Sequence, residues 1–362
     1  MAVAWGLRDV VAVETRIARV DGERGELVYR GHRAQDLAGR ASFEEVAHLL
    51  WTGRMPTEAE RQAIAAELSA ARELSPFVGD VVDALPPELD AMGALRTGVS
   101  AMGTGRTPTL AEAVRFTAAV PGLIGRRWAR LAGRSAPRPP AGIGHVAYLL
   151  WMLDGVEPEP ARVRALEAYM VLTMEHGLSA STLAARVVAS TRSDLASALA
   201  AALGAMRGPL HGGAPAGVAA LVDSVPEGAD AVALLRQRVA RGERLMGFGH
   251  RVYRTEDPRA AALRRVVVEL AGDEPWVRRA LAVERAALEV LEEHRPGRRL
   301  RTNVEYWAAA ILRWVGVDPS LYTAVFSASR VVGWSAHVLE QVEQDVLIRP
   351  EARYVGPEPP EP

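Results

Sequence analysis

The sequence contains neither cysteine nor lysine in its 362 residues, and each absence removes a class of chemistry. Without cysteine, disulfides, thiolate nucleophiles and cysteine-ligated metal sites are excluded. Because all 43 basic residues are arginine, a Schiff-base lysine, a pyridoxal-phosphate lysine and a phosphate-loop lysine are excluded as well. Arginine suits rigid, bidentate binding of carboxylates and phosphates, although most of these arginines fit an ordinary surface role.

Long apolar runs and an excess of charge of one sign are also missing. No stretch of about 18 apolar residues occurs, which argues against a membrane span. The first six residues lack the basic and apolar regions of a secretory signal. The net charge of −1 does not point to nucleic acid as a partner. We therefore expect a cytoplasmic protein with neither nucleic-acid nor membrane partners, and its length is sufficient for two domains.

Most of the sequence has the pattern of helices. Two capping boxes, Ser42 with Glu45 and Thr57 with Glu60, predict helix starts. Further helices are predicted at 88–103, 109–132, 143–153, 160–176, 179–190, 194–206, 229–241, 259–271, 276–294, 303–315 and 321–344. Residues 11–20 and 26–30 flank a glycine-containing turn and predict a short hairpin. Strands and helices do not alternate, so we predict an all-α fold with a short N-terminal β-hairpin.

Two breaks between predicted helices combine histidine with glycine. One, GPLHGGAP at 208–215, contains His211, and the other, GFGH at 247–250, ends in His250. Glycines in such breaks allow close backbone approach to a ligand and leave N–H groups free for anions. His176 also stands out by its context. Taken singly, each histidine is more often a satisfied polar group, and their separations do not match a local metal motif, so no metal site is expected.

Two glycine patterns are rejected, and a third segment stays open. Residues 204–210 lack the spacing and the ending of a phosphate loop, and 247–249 lack the third glycine of a dinucleotide fingerprint. Residues 249–259 carry one histidine and three arginines in a short segment. That segment is either a solvated basic loop or a site for a polyanion with histidine as the acid–base group.

Six segments, in order along the chain, resemble those of citrate synthases. Residues 208–214 resemble the family's GPxHGGA segment, and 246–253 with 257–259 look like its second histidine loop. Residues 175–182 are similar to its EHxxNAST segment, and 302–306 to its PNVDFY segment. Residues 329–334 and 348–350 match its last two arginine positions. The resemblance extends over nearly the whole chain.

The resemblance implies a transferase of the tricarboxylic acid cycle that condenses acetyl-CoA with oxaloacetate and water through an enol. His211 would hydrogen-bond the thioester oxygen, Glu305 would be the base, and His250 would polarise the ketone. The implied oxaloacetate ligands are His176, Arg259, Arg330 and Arg349, the last reaching across a homodimer interface. The implied CoA ligands are Met246, Gly247, Gly249, Arg254, Arg298 and Arg299. CoA enters as a thioester substrate, and no cofactor is expected.

The family fold implies two helical domains. The large domain would comprise residues 1–212 and 316–362, and the small domain, 213–315, would close over the substrates. His211 would then lie at the hinge, while His250 and Glu305 would move with the small domain. Closure of this kind assembles a site and excludes water.

Glu305 departs from the family pattern, which has aspartate there, and Ser179 replaces an asparagine. Asn303 could cap a helix with Glu305 in its first turn, where the helix dipole favours the ionised carboxylate. Three alternatives stay open. They are a 2-methylcitrate synthase that uses propionyl-CoA, a non-catalytic regulator that binds oxaloacetate or CoA, and an all-helical scaffold, against which the glycine–histidine breaks argue.

Overall fold

The computed structural model describes residues 3–7, 10–212, 214–250, 252–298 and 300–359. Over these residues the chain forms helices and one small sheet, which confirms the all-α prediction. The α-helices are α1 (Ala34–Leu37), α2 (Phe43–Thr52), α3 (Glu58–Ala70), α4 (Pro76–Asp83), α5 (Ala91–Ala101), α6 (Leu110–Leu131), α7 (His145–Asp154), α8 (Pro160–Thr173), α9 (Ala180–Ser190), α10 (Leu195–Met206), α11 (Ala214–Asp223), α12 (Ala231–Ala240), α13 (Pro258–Ala271), α14 (Pro275–His294), α15 (Val304–Trp314) and α16 (Tyr322–Gln344). None of the described helices is both long and apolar enough to cross a membrane.

Side-chain caps start most of these helices. Both predicted capping boxes form, with Ser42 at the start of α2 and Thr57 at the start of α3. Three helices were not predicted, namely the four-residue α1, α4 and α11. Helix α4 begins at a Ser75 cap followed by Pro76, and α11 begins within the glycine- and proline-rich break. In both, proline stands in the first turn, where its missing N–H costs nothing because that N–H has no partner inside the helix.

The N-terminal hairpin is present and carries an extra strand. Strands β1 (Ala18–Asp21), β2 (Glu26–Tyr29) and β3 (His32–Arg33) form an antiparallel sheet in sequence order. The first strand is shorter than the predicted 11–20, because it pairs with β2 only from Ala18, opposite Tyr29. The β1–β2 turn packs against the segment after His250. A side chain at Gly22 would lie 2.2 Å from the Val252 carbonyl oxygen, so only glycine fits there.

Helix α16 forms the centre of the larger group of helices. It packs against α2, α6, α8, α9 and α10. Its buried positions continue around the whole helix, including Trp334 and Arg330. Gly333 allows close approach to the end of α8, because a side chain there would lie 2.4 Å from the Met174 carbonyl oxygen. Arg330 of α16 is therefore fixed by dense packing.

A second group of helices lies between α11 and α15 in the sequence. Within it, α13 packs on α15, α12 on α14, and α11 on α15. Helices α13 and α15 also contact α8 of the first group. The candidate site lies where these two groups of helices meet.

Candidate active site

The loop that carries His250 is joined to the start of α15 by backbone hydrogen bonds. Gly249 N donates to Arg301 O at 2.8 Å, and Asn303 N donates to Gly247 O at 2.9 Å. The Asn303 side-chain amide donates to Gly249 O at 2.9 Å. His250 and the first turn of α15 therefore form one structural unit.

Glycine is required at two positions of this loop. Gly247 has φ 90° and Gly249 has φ 82°, a region that other residues rarely adopt. A side chain at Gly247 would also lie 2.8 Å from the Tyr306 ring, and one at Gly249 would lie 3.0 Å from Leu300. Both glycines allow the loop to lie directly on α15.

Asn303 caps α15 and places Glu305 in its first turn, as the sequence predicts. The Asn303 side-chain oxygen accepts from Glu305 N at 3.1 Å. Burial, partly offset by the positive charge of Arg259, raises the pKa of Glu305 above its usual value. A carboxylate of this kind is a stronger base than a solvated one, because its pKa is shifted toward neutral pH.

His250 has a defined protonation pattern. Its Nδ1 accepts hydrogen bonds from the backbone N–H groups of Val252 and Tyr253, both at 3.0 Å. Burial and the Arg259 guanidinium lower the pKa of His250 to about 4, so the ring is neutral at pH 7. A neutral ring with Nδ1 as acceptor carries its proton on Nε2. The two contacts at Nδ1 are shorter than the 3.4 Å separation of Arg259 Nη2 from Nε2, and they assign His250 an Nε2–H donor.

His211 is held by side chains of the larger helix group. Its Nε2 lies 2.8 Å from the Ser181 hydroxyl, which accepts from Trp334 Nε1 at 3.1 Å. Burial and Arg330 lower the pKa of His211 to about 4, so this ring is also neutral at pH 7. When the Ser181 hydroxyl donates to Nε2, the proton of His211 lies on Nδ1.

His176 lies beside the His250 loop. Its Nε2 is 3.2 Å from the Tyr253 hydroxyl, and its ring centre is 5.7 Å from that of His250. Burial, Arg259 and Arg330 lower the pKa of His176 well below its usual value. The sequence segments around 176 and 250, which are 74 residues apart, thus meet in the structure.

Two buried arginines supply the positive charge of the site. Arg330 donates its Nε–H to Thr173 O at 2.8 Å, and its buried Nη1 has no hydrogen-bond partner among the described residues. Arg259 is paired with Asp257, with Nη2 to Oδ2 at 2.9 Å. An unpartnered buried guanidinium N–H carries a desolvation cost that an anionic ligand can offset. The site is therefore suited to a carboxylate.

Four of the remaining predicted residues fall within the described part of the chain. Arg349 is exposed in the segment after α16, and Arg298 is exposed after α14. Arg254 lies on the surface with its Nε 3.6 Å from Glu23 Oε1. Met246 is partly buried beside Gly217. Arg299 lies outside the described residues.

A cavity of about 570 Å³ lies next to His250. Arg244 and Arg295 contribute positive charge to its lining, which also includes His294 and Gly249. Arg244 also lowers the pKa of Glu305, although other groups have larger effects. The cavity offers space and positive charge for a phosphorylated ligand.

Three residues that bond the predicted side chains had no predicted role themselves, and neither had Arg244 and Arg295 of the cavity. Ser181 contacts His211, Tyr253 contacts His176, and Asp257 binds Arg259. Each stands within one of the segments that resemble the family's motifs, so its position in the motif was the only indication in the sequence that it could contribute. The sequence does not show which side chain each of them contacts, because these contacts join distant segments, except for the local Asp257–Arg259 pair.

Three half-buried histidines, a carboxylate at a helix start and two buried arginines define an acid–base site for an anionic substrate in an all-helical enzyme. The family described as "Citrate synthase, C-terminal domain" matches residues 6–351 of this chain. A citrate synthase of Haloferax volcanii is 40% identical, with 97% of this chain and 95% of the relative covered. A 2-methylcitrate synthase of Mycobacterium tuberculosis is 36% identical, with 98% and 90% covered.

A solved structure agrees with these relatives. The citrate synthase of Thermoplasma acidophilum, in a ternary complex with carboxymethyl-CoA and oxaloacetate, has a TM-score of 0.89 to this chain at 30% identity. The alignment covers 99% of this chain and 98% of that one. The chain belongs to the citrate synthase family.

Proposed function

We propose that this protein is a citrate synthase that converts acetyl-CoA, oxaloacetate and water into citrate and CoA. The observation that carries the proposal is that Glu305, whose pKa is raised, and the neutral His250 share one unit beside the buried Arg259, while the neutral His211 lies near the buried Arg330. Enol formation needs a base, a donor to the thioester oxygen and an electrophile held by its charged groups. The site contains a candidate for each.

Oxaloacetate is the substrate that the arginines favour. Arg330, with its unpartnered Nη1, and Arg259 are the donors for its two carboxylates, and His176 lies within the same group. In this proposal Arg349 adds a further contact in the site of a second protomer, so the functional unit is a homodimer. A sedimentation measurement of the molecular mass tests the dimer.

The chemical steps follow from the proton positions. Glu305 removes a proton from the methyl group of acetyl-CoA, while His211 Nδ1–H hydrogen-bonds the developing enolate oxygen. The enol carbon attacks the oxaloacetate ketone, whose oxygen receives the proton of His250 Nε2. Water then cleaves the citryl thioester, so that one C–C bond forms, one C–S bond breaks and CoA leaves as a thiol.

CoA is proposed to bind beside His250. The cavity of about 570 Å³ lies there, with Gly249 in its lining and Arg244 and Arg295 as added cations. The backbone at Met246 and Gly247 and the side chains of Arg254, Arg298 and Arg299 complete the proposed set. Closure of residues 213–315 over the larger group of helices would bring this ligand to His211.

Glu305 is one methylene longer than the family's aspartate. A displacement of about 1 Å at a reacting group can cost on the order of 10²-fold in rate. The tight attachment of α15 to the His250 loop supports a local backbone position that accommodates the longer side chain.

Thiol release is the direct test, since a cysteine-free protein gives no background with a thiol reagent. The protein is mixed with acetyl-CoA or propionyl-CoA, each with and without oxaloacetate. Oxaloacetate-dependent release with acetyl-CoA supports the proposal. Release with neither thioester contradicts it and favours the non-catalytic, ligand-binding alternative.

A 2-methylcitrate synthase is the second candidate, supported by the 36% identical relative of that name. One extra methylene in an apolar pocket is worth only about 1–3 kcal/mol, so the two thioesters can share one site. The ratio of kcat/KM for propionyl-CoA and acetyl-CoA decides between the two activities. A cytoplasmic location and the absence of a cofactor stay predictions.

A further inference from the structure

We infer that Asp257 is a positioning residue that couples the carboxylate-binding Arg259 to the start of the helix carrying Glu305. The inference rests on the proposed function and adds a residue to it. Asp257 is only 1% exposed, although it carries a charge. A buried carboxylate of this kind is stable only when its oxygens are well paired.

Among the described residues, the Asp257 side chain accepts four hydrogen bonds, and they come from Arg259 and from the start of α15. Its Oδ1 accepts from Arg259 N and from Arg259 Nε, each at 3.0 Å. Its Oδ2 accepts from Arg259 Nη2 at 2.9 Å and from Val304 N at 3.0 Å. One carboxylate therefore orients the guanidinium and binds the first N–H group of α15.

This arrangement fixes the geometry of two groups that act on different substrates. Asp257 engages Arg259 through Nε and Nη2, which leaves Nη1 as the donor with no bond to Asp257. Val304 immediately precedes Glu305, so the same carboxylate sets the position of the first turn of α15. A shift of Asp257 moves both the dicarboxylate site and the base.

The charge of Asp257 also acts on the base. It lies at the N-termini of α13 and α15, where the helix dipoles favour an anion. Its negative charge contributes to raising the pKa of Glu305, whereas Arg259 lowers that pKa. Removing the charge lowers the pKa of Glu305, because a neighbouring anion favours the protonated carboxyl.

Glu284 provides a matched control. It is a second buried carboxylate that joins the same two helices, since its side chain accepts from Arg264 of α13 and Trp307 of α15. It is 6% exposed. Unlike Asp257, it bonds neither Arg259 nor the start of α15. Glu284→Gln therefore removes a structural charge from the same helix pair without touching the site.

The test compares Asp257→Asn with Glu284→Gln in the full-length protein, using oxaloacetate-dependent thiol release from pH 4 to 9. We expect Asp257→Asn to lower kcat on the order of 10²-fold, because the base is displaced by a fraction of an ångström to about 1 Å. The KM for oxaloacetate rises, and the acid limb of kcat/KM moves to lower pH. Glu284→Gln leaves the KM and the acid limb in place.

Each outcome bears on a different statement. The inference is overturned if Asp257→Asn has the same KM for oxaloacetate and the same acid limb of kcat/KM as Glu284→Gln. The proposed function is not affected by that outcome. A wild-type protein without oxaloacetate-dependent thiol release overturns the proposed function together with it. Should Asp257→Asn fail to fold, Asp257→Glu replaces it. With the charge kept and its position changed, kcat falls and the acid limb stays; wild-type kcat and KM in that variant overturn the inference.

Discussion

His211 and His250 are proposed to contact different substrates, and they are held in place by different kinds of contact. His211 is held by Ser181 of α9, whose hydroxyl is in turn bound by Trp334 of α16, and both residues are fully buried. His250 sits on a loop joined to residues 301–303 through backbone atoms. One histidine depends on side chains in a packed core, and the other depends on backbone conformation.

This difference predicts how substitutions affect the two sides of the site, the helical side around His211 and the loop side around His250. The helices that hold His211 are expected to keep their positions when one hydrogen bond is removed, because many other packing contacts hold them. A loop fixed by glycine conformations is not expected to do so, because the backbone path itself positions the ligand groups. Glu305, the proposed base, belongs to the loop side of the site, so the larger effects are expected there.

The largest effect is expected for Glu305→Ala, which removes the proposed base. Loss of a general base costs about 10²–10⁴-fold in rate, so thiol release from acetyl-CoA should fall by that factor. Glu305→Asp is the matched control and should retain or raise kcat. Calorimetric binding of oxaloacetate should remain, because the arginines are intact. An unchanged kcat in Glu305→Ala would remove Glu305 from the mechanism.

Gly247→Ala tests the loop side through its backbone. Its positive φ adds about 1–3 kcal/mol of strain for another residue, and the new methyl would lie 2.8 Å from Tyr306. We expect kcat to fall by about tenfold or more, since positioning errors at a site carry a large cost. Gly297→Ala has a similar φ of 80° with no atom within 4 Å of the methyl, so it separates backbone strain from displacement. Equal activity in the two variants would mean that the contact with α15 does not position His250.

Ser181→Ala tests the helical side and should have the smallest effect. His211 loses the hydroxyl that fixes its tautomer, and loss of such a hydrogen bond costs about 1–3 kcal/mol when a buried group is left unpaired. Ser335→Ala is the matched control, because Ser335 is also buried and accepts from an indole, that of Trp51, at 2.9 Å. Both variants should lose similar thermal stability, but only Ser181→Ala should lower kcat. A kcat loss shared by both would assign Ser181 a purely structural role.

The sequence predicted the all-α fold, both capping boxes and the Asn303 cap, whereas the roles of His211, His250 and Glu305 stay predictions. His211, His250, Glu305 and the Asn303 cap stand in short contiguous segments, so their local patterns are visible without a structure. Helix α11 was missed because its glycine- and proline-rich start has the composition of a loop.

Contacts between distant segments account for the rest of what was missed. The bond from Ser181 to His211 and the approach of Tyr253 to His176 join residues 30 and 77 positions apart. Such pairs depend on how α9 packs on α10 and α16 and on how the His250 loop lies against the larger group. Local periodicity carries no information about either arrangement.

The hydrogen bonds between residues 247–249 and 301–303 have a consequence for measurement. In the proposed closure, these bonds would move His250 and Glu305 together, so that one distance, from this unit to His211, would describe the assembly of the site. Because the chain has no cysteine, one label introduced on α12 and one on α10 would report that separation alone. The distance between the two labels, followed during turnover, would then report when the site opens and closes in each catalytic cycle.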